Sequence, residues 1–229
     1  MQYLGGKSRI AKKLAPIILE LSKGRTLVEP FCGALWITQE IHPIYASDAS
    51  VPLISLIQAV RNGWEPPISV SEEEYAYARS LPETHPAYGF CGYGCSYAGM
   101  LWAGLAKDRP EQRYAECARN SLKRKVSATR ATEFGCCAYS DWQGDATTLF
   151  YCDPPYAGTA TYKATGKFDS VAFWDWCIQQ KARGSVVLVS EYAAPQGVAD
   201  EIFASEHDGR LGIHGKRARI TVERLFKVR

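Results

Sequence analysis

Apolar positions recur along this chain with two periods, and their alternation lays out the elements. From residue 8 to residue 22, Ile10, Leu14, Ile17, Ile18 and Leu21 fall on one face of a helix, and Ser8 stands where a side-chain cap would start it. Residues 26–28 make a short apolar strand that runs into the turn Glu29-Pro30-Phe31-Cys32-Gly33-Ala34, and a helix follows through residue 40. A second short strand at residues 44–48 closes in Asp48. The helix after it, residues 51–62, carries Leu53, Ile54, Ile57 and Val60 on one side, with Ser50 as its cap. Strands alternating with amphipathic helices predict an α/β fold built on a largely parallel sheet.

Between residues 63 and 132 this rhythm breaks. Pro66, Pro67, Pro82 and Pro86 are followed by a glycine-rich and aromatic loop at residues 89–99, then by a helical run at residues 112–126 bearing Arg113, Arg119, Lys123, Arg124 and Lys125. We read residues 63–132 as a small, mainly helical insertion into a unit formed by residues 1–62 and 133–229. The rhythm resumes with the apolar run Leu149-Phe150-Tyr151-Cys152 and a helix placing Val171, Trp174, Cys177 and Ile178 on one face. A buried strand at residues 185–190 ends in Glu191-Tyr192, and a last strand spans residues 220–226. The basic run Lys216-Arg217-Ala218-Arg219 before it suits either a phosphate contact or a solvated turn.

Composition narrows the picture modestly. At 229 residues the chain suits one domain with an insertion. A net charge of +3 and a pI near 8.4 give only a mild bias toward an anionic partner, so any nucleic-acid contact must come from a local patch. The start of the chain is polar and glycine-rich, and no apolar run approaches the ~20 residues of a membrane helix, so a cytoplasmic protein is expected. Of the eight cysteines, Cys32, Cys152 and Cys177 lie in core-like runs. Cys91, Cys95, Cys136 and Cys137 lack the paired spacing of a zinc ribbon, and no metal is expected.

Candidate chemistry concentrates where the run of residues 149–152 stops in Asp153-Pro154-Pro155-Tyr156. Two prolines stiffen the loop and remove two backbone donors, leaving a carboxylate, free carbonyls and a ring at fixed relative positions. Such a pocket suits an exocyclic amine on a flat heterocycle, whose two N–H groups the carboxylate and a proline carbonyl accept while Tyr156 stacks. The plainer reading is a proline-rich turn after a core strand. Asp48, at the end of a second strand, can accept ribose hydroxyls. Near the start, Gly5-Gly6-Lys7-Ser8 lacks the upstream glycine and apolar strand of a nucleotide P-loop. The aromatic loop beside a basic helix could meet DNA phosphates and bases, or the helix could be merely solvated.

Taken in order, Gly5-Gly6-Lys7, Glu29-Pro30-Phe31-Cys32-Gly33, Asp48, the aromatic and basic insertion and Asp153-Pro154-Pro155-Tyr156 span most of the chain. This order resembles the Dam-like, alpha-ordered (D12 type) DNA N6-adenine methyltransferases, in a compact version such as phages and prophages carry. The resemblance implies a Rossmann-like methyltransferase sheet with a target-recognition insertion, S-adenosylmethionine as cofactor and double-stranded DNA as substrate. It assigns Tyr3, Gly6 and Lys7 to the methionine part of the cofactor, and Glu29, Pro30, Phe31, Gly33 and Asp48 to the cofactor turn and ribose. Asp141, ahead of Asp145, becomes the candidate partner of the cofactor adenine. It makes Asp153, Pro154, Pro155 and Tyr156 the catalytic group acting on a flipped adenine. Tyr93, Ser96, Tyr97, Arg119, Lys123 and Arg124 become the DNA-contact candidates. The family pattern Glu-Pro-Phe-x-Gly-x-Gly is broken here, since Leu35 stands at the second glycine with Trp36 beside it. That departure keeps a weak or inactive DNA-binding remnant open as an alternative, along with methylation of RNA or of cytosine N4.

Overall fold

The computed structural model describes residues 1, 3, 6–108, 113–156, 168–209 and 219–229. Leu4, Gly5, Thr159, Thr161, Tyr162, Lys216, Arg217 and the first residue of the basic run at 112–126 lie outside these. The described elements are α1 (Ala11–Leu21), β1 (Thr26–Glu29), α2 (Thr38–Ile41), β2 (Tyr45–Asp48), α3 (Val51–Arg61), α4 (Glu72–Ser80), α5 (Pro86–Gly89), α6 (Tyr114–Ala128), β3 (Glu133–Cys136), β4 (Thr148–Cys152), α7 (Ser170–Ala182), β5 (Val186–Glu191), β6 (Ala199–Gly209) and β7 (Arg219–Val228).

One seven-stranded sheet organises them, in the order β3-β2-β1-β4-β5-β7-β6. Strands β1 to β5 run parallel, and β7 is antiparallel to both β5 and β6. This is the Rossmann-like α/β architecture expected of a methyltransferase. Strand order reverses between β1 and β4, and at such a switch point the carboxyl ends of neighbouring strands open a crevice for a ligand.

The central strands read as unbroken apolar runs because both sheet faces are covered. Along β4 and β5, Leu149, Tyr151 and Leu188 face Leu14 and Ile18 of α1. Alternate residues Phe150, Cys152, Val187 and Val189 face Phe173, Trp176 and Cys177 of α7. A third core joins Leu53, Ile54 and Ile57 of α3 to Phe90 and to Leu122 and Val126 of α6. The segment 63–132 therefore packs onto α3 through a shared core.

Several elements differ from the sequence expectation. Helix α1 begins at Ala11, its cap position is Ile10, and Ser8 does not cap it. The Lys7 carbonyl accepts from both Ile10 N and Ala11 N, so residues 8–10 form a turn that carries Lys7 away from the helix axis. Ser50 does precede α3, but its hydroxyl pairs with the Tyr93 hydroxyl at 2.8 Å and its backbone N–H donates to Asp48 Oδ1 at 2.9 Å. On α7 the buried stripe is Phe173, Trp176, Cys177 and Gln180, with Trp174, whereas Val171 and Ile178 are exposed. The long strand β6 is absent from the sequence reading. It lies at the sheet edge with charged residues Asp200, Glu201 and Glu206, and a bulge between Glu201 and Phe203 breaks its alternation.

Helix α5 lies so close to α3 that a Cβ on Gly89 would come within 2.3 Å of the Pro52 carbonyl oxygen. Gly89→Ala should lower the stability of the fold by about 1–3 kcal/mol through overpacking. Chemical denaturation measures it; an unchanged midpoint would mean that the two helices separate at no cost.

Candidate active site

Three strand ends meet at the switch point. Asp153 follows β4, Glu29 ends β1 beside it, and Asp48 ends β2 one strand further out. Residues 30–36 turn immediately after β1, with Gly33 at φ 47° and Leu35 at φ 61°. Gly33 N donates to Asp48 Oδ2 at 3.1 Å, so the turn is tied to β2 and each Asp48 oxygen accepts one backbone N–H. The Tyr3 ring covers Gly33, where a Cβ would meet it at 3.2 Å, and Gly6 lies against Trp36. The N-terminal segment thus folds over the turn, bringing Tyr3, Gly6, Gly33 and Asp48 together.

Lys7 goes elsewhere. It is 4% exposed, and its ammonium reaches Asp153 Oδ1 at 2.8 Å and Glu223 Oε2 at 3.2 Å while donating to the Tyr156 hydroxyl. It also lies 4.2 Å from the centre of the Tyr156 ring. Tyr192, just past β5, packs edge-on to Tyr156 with centroids 4.5 Å apart. Lys7, expected at the methionine end of a cofactor, therefore spans the Asp153 carboxylate and β7. Glu223 and Tyr192 complete the site. Glu223 carried no signal in the sequence, because a lone acid in an alternating strand looks like any solvent-facing residue.

Burial sets the electrostatics. Burial pushes Asp153 up to about 6, against the opposing charge of Lys7. Lys7 is raised, the carboxylates of Asp153 and Glu223 outweighing its desolvation. Asp48 is pushed up to about 6, again by burial, while the N–H groups of Ser50 and Gly33 oppose the shift. Burial pushes Glu29 up to about 8, with the Thr38 hydroxyl opposing and the charges of Asp153 and Asp48 adding. Glu29 Oε2 has no hydrogen-bond partner among the described residues. A buried carboxyl with an unmatched oxygen beside a glycine turn is suited to a polar ligand group.

Phe31 stacks on Tyr139 with centroids 5.5 Å apart and meets Phe168 and Phe173 edge-on. This aromatic wall was not anticipated. Its turn, Tyr139–Asp141, is latched to β2 by Trp142 Nε1 donating to Ser47 Oγ at 2.8 Å. Asp141 is exposed there and accepts from Ala138 N at 2.9 Å. Pro30 is buried, and its carbonyl accepts from Ser47 Oγ at 3.5 Å. Pro154 is buried and Pro155 half-buried.

The DNA-contact candidates divide. Tyr93 and Ser96 are buried, Tyr93 pairing with Ser50 and Ser96 donating to the Cys91 carbonyl at 3.1 Å, so neither presents a surface. Tyr97 is exposed. Arg119 bonds to the Pro66 carbonyl and to Glu65, each at 2.9 Å, and Lys123 reaches Glu65 at 2.7 Å. Arg124 is exposed, whereas Lys125 is fully buried. The eight cysteines are free thiols, and among the described residues no cluster of His, Cys, Asp and Glu is arranged to hold a metal. Among them, too, no helix is long and apolar enough to cross a membrane.

Because the folded pKa of Glu29 lies above its ordinary value of 4.5, its contribution to stability is complete below that value and is lost as pH rises through about 8. Glu29→Gln should therefore raise stability above about pH 8, by about 1–3 kcal/mol. Thermal melts across pH check the sign; a variant that loses stability there would show that the ionised carboxylate is satisfied.

No curated protein matches the chain. Residues 3–88, which hold the N-terminal segment, the turn after β1 and Asp48, match the model of the D12 class N6 adenine-specific DNA methyltransferases. The Asp153-Pro154-Pro155-Tyr156 loop lies beyond the match, yet the parallel sheet sets it beside the matched turn at the strand-order reversal. By that match over its N-terminal part and by its seven-stranded α/β sheet, the chain is similar to the D12 class N6 adenine-specific DNA methyltransferases.

Proposed function

We propose that the protein moves a methyl group from S-adenosylmethionine to N6 of an adenine flipped out of double-stranded DNA. The observation that carries this reading is the meeting of the Asp153 carboxylate, the Tyr156 ring and the unmatched Glu29 oxygen at one strand-order reversal. The residues present suit the cofactor. Asp48 keeps acceptor capacity on both oxygens for ribose hydroxyls, Glu29 offers its free oxygen to the amino acid end, and Tyr3, Gly6 and Gly33 line the turn between them. Phe31 and Asp141 bound the side proposed for the cofactor adenine. When bound, the cofactor supplies an activated methyl on a sulfonium that is its own leaving group.

An adenine amine is conjugated with its ring and is a poor nucleophile, and N6 cannot reach an enzyme-bound methyl inside a duplex. Asp153 and a carbonyl of the Pro154-Pro155 turn accept hydrogen bonds from the two N6 hydrogens and turn the nitrogen lone pair toward the methyl, while Tyr156 stacks on the base; once N6 carries the methyl, one of its protons leaves to solvent. The amine takes the donor position that Lys7 fills against Asp153, and Glu223 retains the displaced ammonium. The protein's contribution is orientation and electrostatics. DNA contact falls to Arg124 and Tyr97, which face solvent, since Glu65 already engages Arg119 and Lys123. A DNA substrate in a prokaryotic or phage setting makes the cytoplasm the working compartment.

Incubation with S-adenosylmethionine and unmethylated DNA, followed by digestion to nucleosides and mass analysis, should yield N6-methyladenine. N4-methylcytosine alone, or no methylated nucleoside, would overturn the reading. Asp153→Ala should abolish transfer while leaving cofactor binding intact. Because only the ionised Asp153 accepts both the hydrogen bond and its charge assistance, the wild-type rate should fall as pH drops through about 6; a flat acidic limb would remove Asp153 from the role. Arg124→Ala should weaken DNA binding about equally across sequences and reduce the salt slope by about 1. An unchanged slope would make Arg124 a solvated residue.

A further inference from the structure

The departure at Leu35 and Trp36 has a partner in α6. Leu35 is fully buried and sits at φ 61°, a left-handed conformation that costs a residue with a branched side chain far more than glycine. A turn strained in this way needs an external hold. Lys125, fully buried on α6, donates its ammonium to the Ala34 carbonyl and lies 3.9 Å from the centre of the Trp36 ring. Another neighbour of Trp36 is Gly6, where a Cβ would come within 2.7 Å of the indole. One ammonium thus fastens residues 34 and 36 on either side of the strained Leu35, and through Trp36 it fixes the N-terminal segment that carries Lys7.

We propose that Lys125 is a positioning residue for S-adenosylmethionine, its charged form holding the turn after β1 in the shape that receives the cofactor where the second glycine of the family pattern is missing. The inference rests on the cofactor reading above. Both contacts favour the ammonium, since a ring face attracts a cation and a charged donor strengthens the bond to a carbonyl. The charged form is available only over part of the pH range. Burial, with the charge of Arg124 adding, brings Lys125 down to about 7. The groups facing it are Arg124 on its own helix and the Met1 amino group, which burial and the Lys125 and Arg124 charges lower to about 4. The turn itself presents a carbonyl and an indole, neither of which titrates. Loss of the proton does not unfold the chain. A lowered folded pKa means that this group favours folding more as pH rises through about 7, opposite to its effect on the turn.

Equilibrium binding of S-adenosylmethionine, from about pH 6 to about pH 9, decides the matter, with Lys125→Met and Lys125→Arg beside the wild type. At the acidic end the Met variant should bind about tenfold more weakly than the wild type, with turnover at saturating cofactor much less changed. That difference should shrink as pH rises through about 7. The Arg variant, which keeps the cation at every pH, should restore binding and not show the shrinkage. Glu29 and Asp48 also titrate in this range, but all three proteins carry them, so the difference between profiles isolates Lys125. Equal affinity of wild type and Met variant at every pH overturns the inference and leaves the cofactor reading standing. Absence of binding by the wild type overturns both. If circular dichroism shows the Met variant unfolded, Trp36→Leu tests the same grip, and wild-type affinity in that variant overturns the inference equally.

Discussion

The site depends on one ammonium shared between two carboxylates in a place with little water. Lys7 joins the N-terminal segment to the loop after β4 through Asp153, and to the edge hairpin through Glu223. Removing either acid leaves the other to balance a nearly buried cation, and removing Lys7 leaves two acids facing each other across a poorly solvated gap. The raised pKa values around it have a common origin. Parallel strands buried on both faces bring their polar ends together where nothing else can solvate them, so Glu29, Asp48 and Asp153 all hold protons more tightly than in water. A ligand that supplies donors to these acids replaces hydration that the fold has already removed.

What could be read from the sequence was what has a local cause. Strands β1, β4 and β5 show as apolar runs because helices cover both their faces, and the chemistry at their ends shows because apolar residues stop there abruptly at acids, prolines and glycines. The edge strand β6 did not show, since its charges and its bulge erase the period of two. The phase of α7 was misjudged because apolar residues ring the helix, and only packing against Phe150 and Val187 selects Phe173, Trp176 and Cys177. Partners chosen by tertiary contact alone were equally hidden: Glu223 for Lys7, Tyr192 for Tyr156 and Lys125 for Trp36.

The basic helix α6 shows how charge in a sequence can be spent before it reaches a partner. Its cations look alike in the chain, yet Glu65 takes Arg119 and Lys123, the turn after β1 takes Lys125, and Arg124 remains toward solvent. Likewise the aromatic loop contributes Tyr93 to the core, where its hydroxyl meets Ser50 beside Asp48, and keeps Tyr97 outside. The segment between residues 63 and 132 is therefore tied to Ser50 after β2 and to the turn after β1 through hydrogen bonds, as well as to α3 through its shared core.

The antiparallel placement of β7 between β5 and β6 has a consequence for how the molecule comes into being. Residue 7 is made well before residue 223, so the second of its two acids is in place only once β7 has been made and inserted between β5 and β6. Until then the Lys7 side chain cannot be held between its two carboxylates, and the loop after β4 has no finished wall. A nascent or truncated chain can therefore form β1, β2 and their helices without assembling a working centre. Such long-range closure couples the assembly of the centre to the insertion of β7.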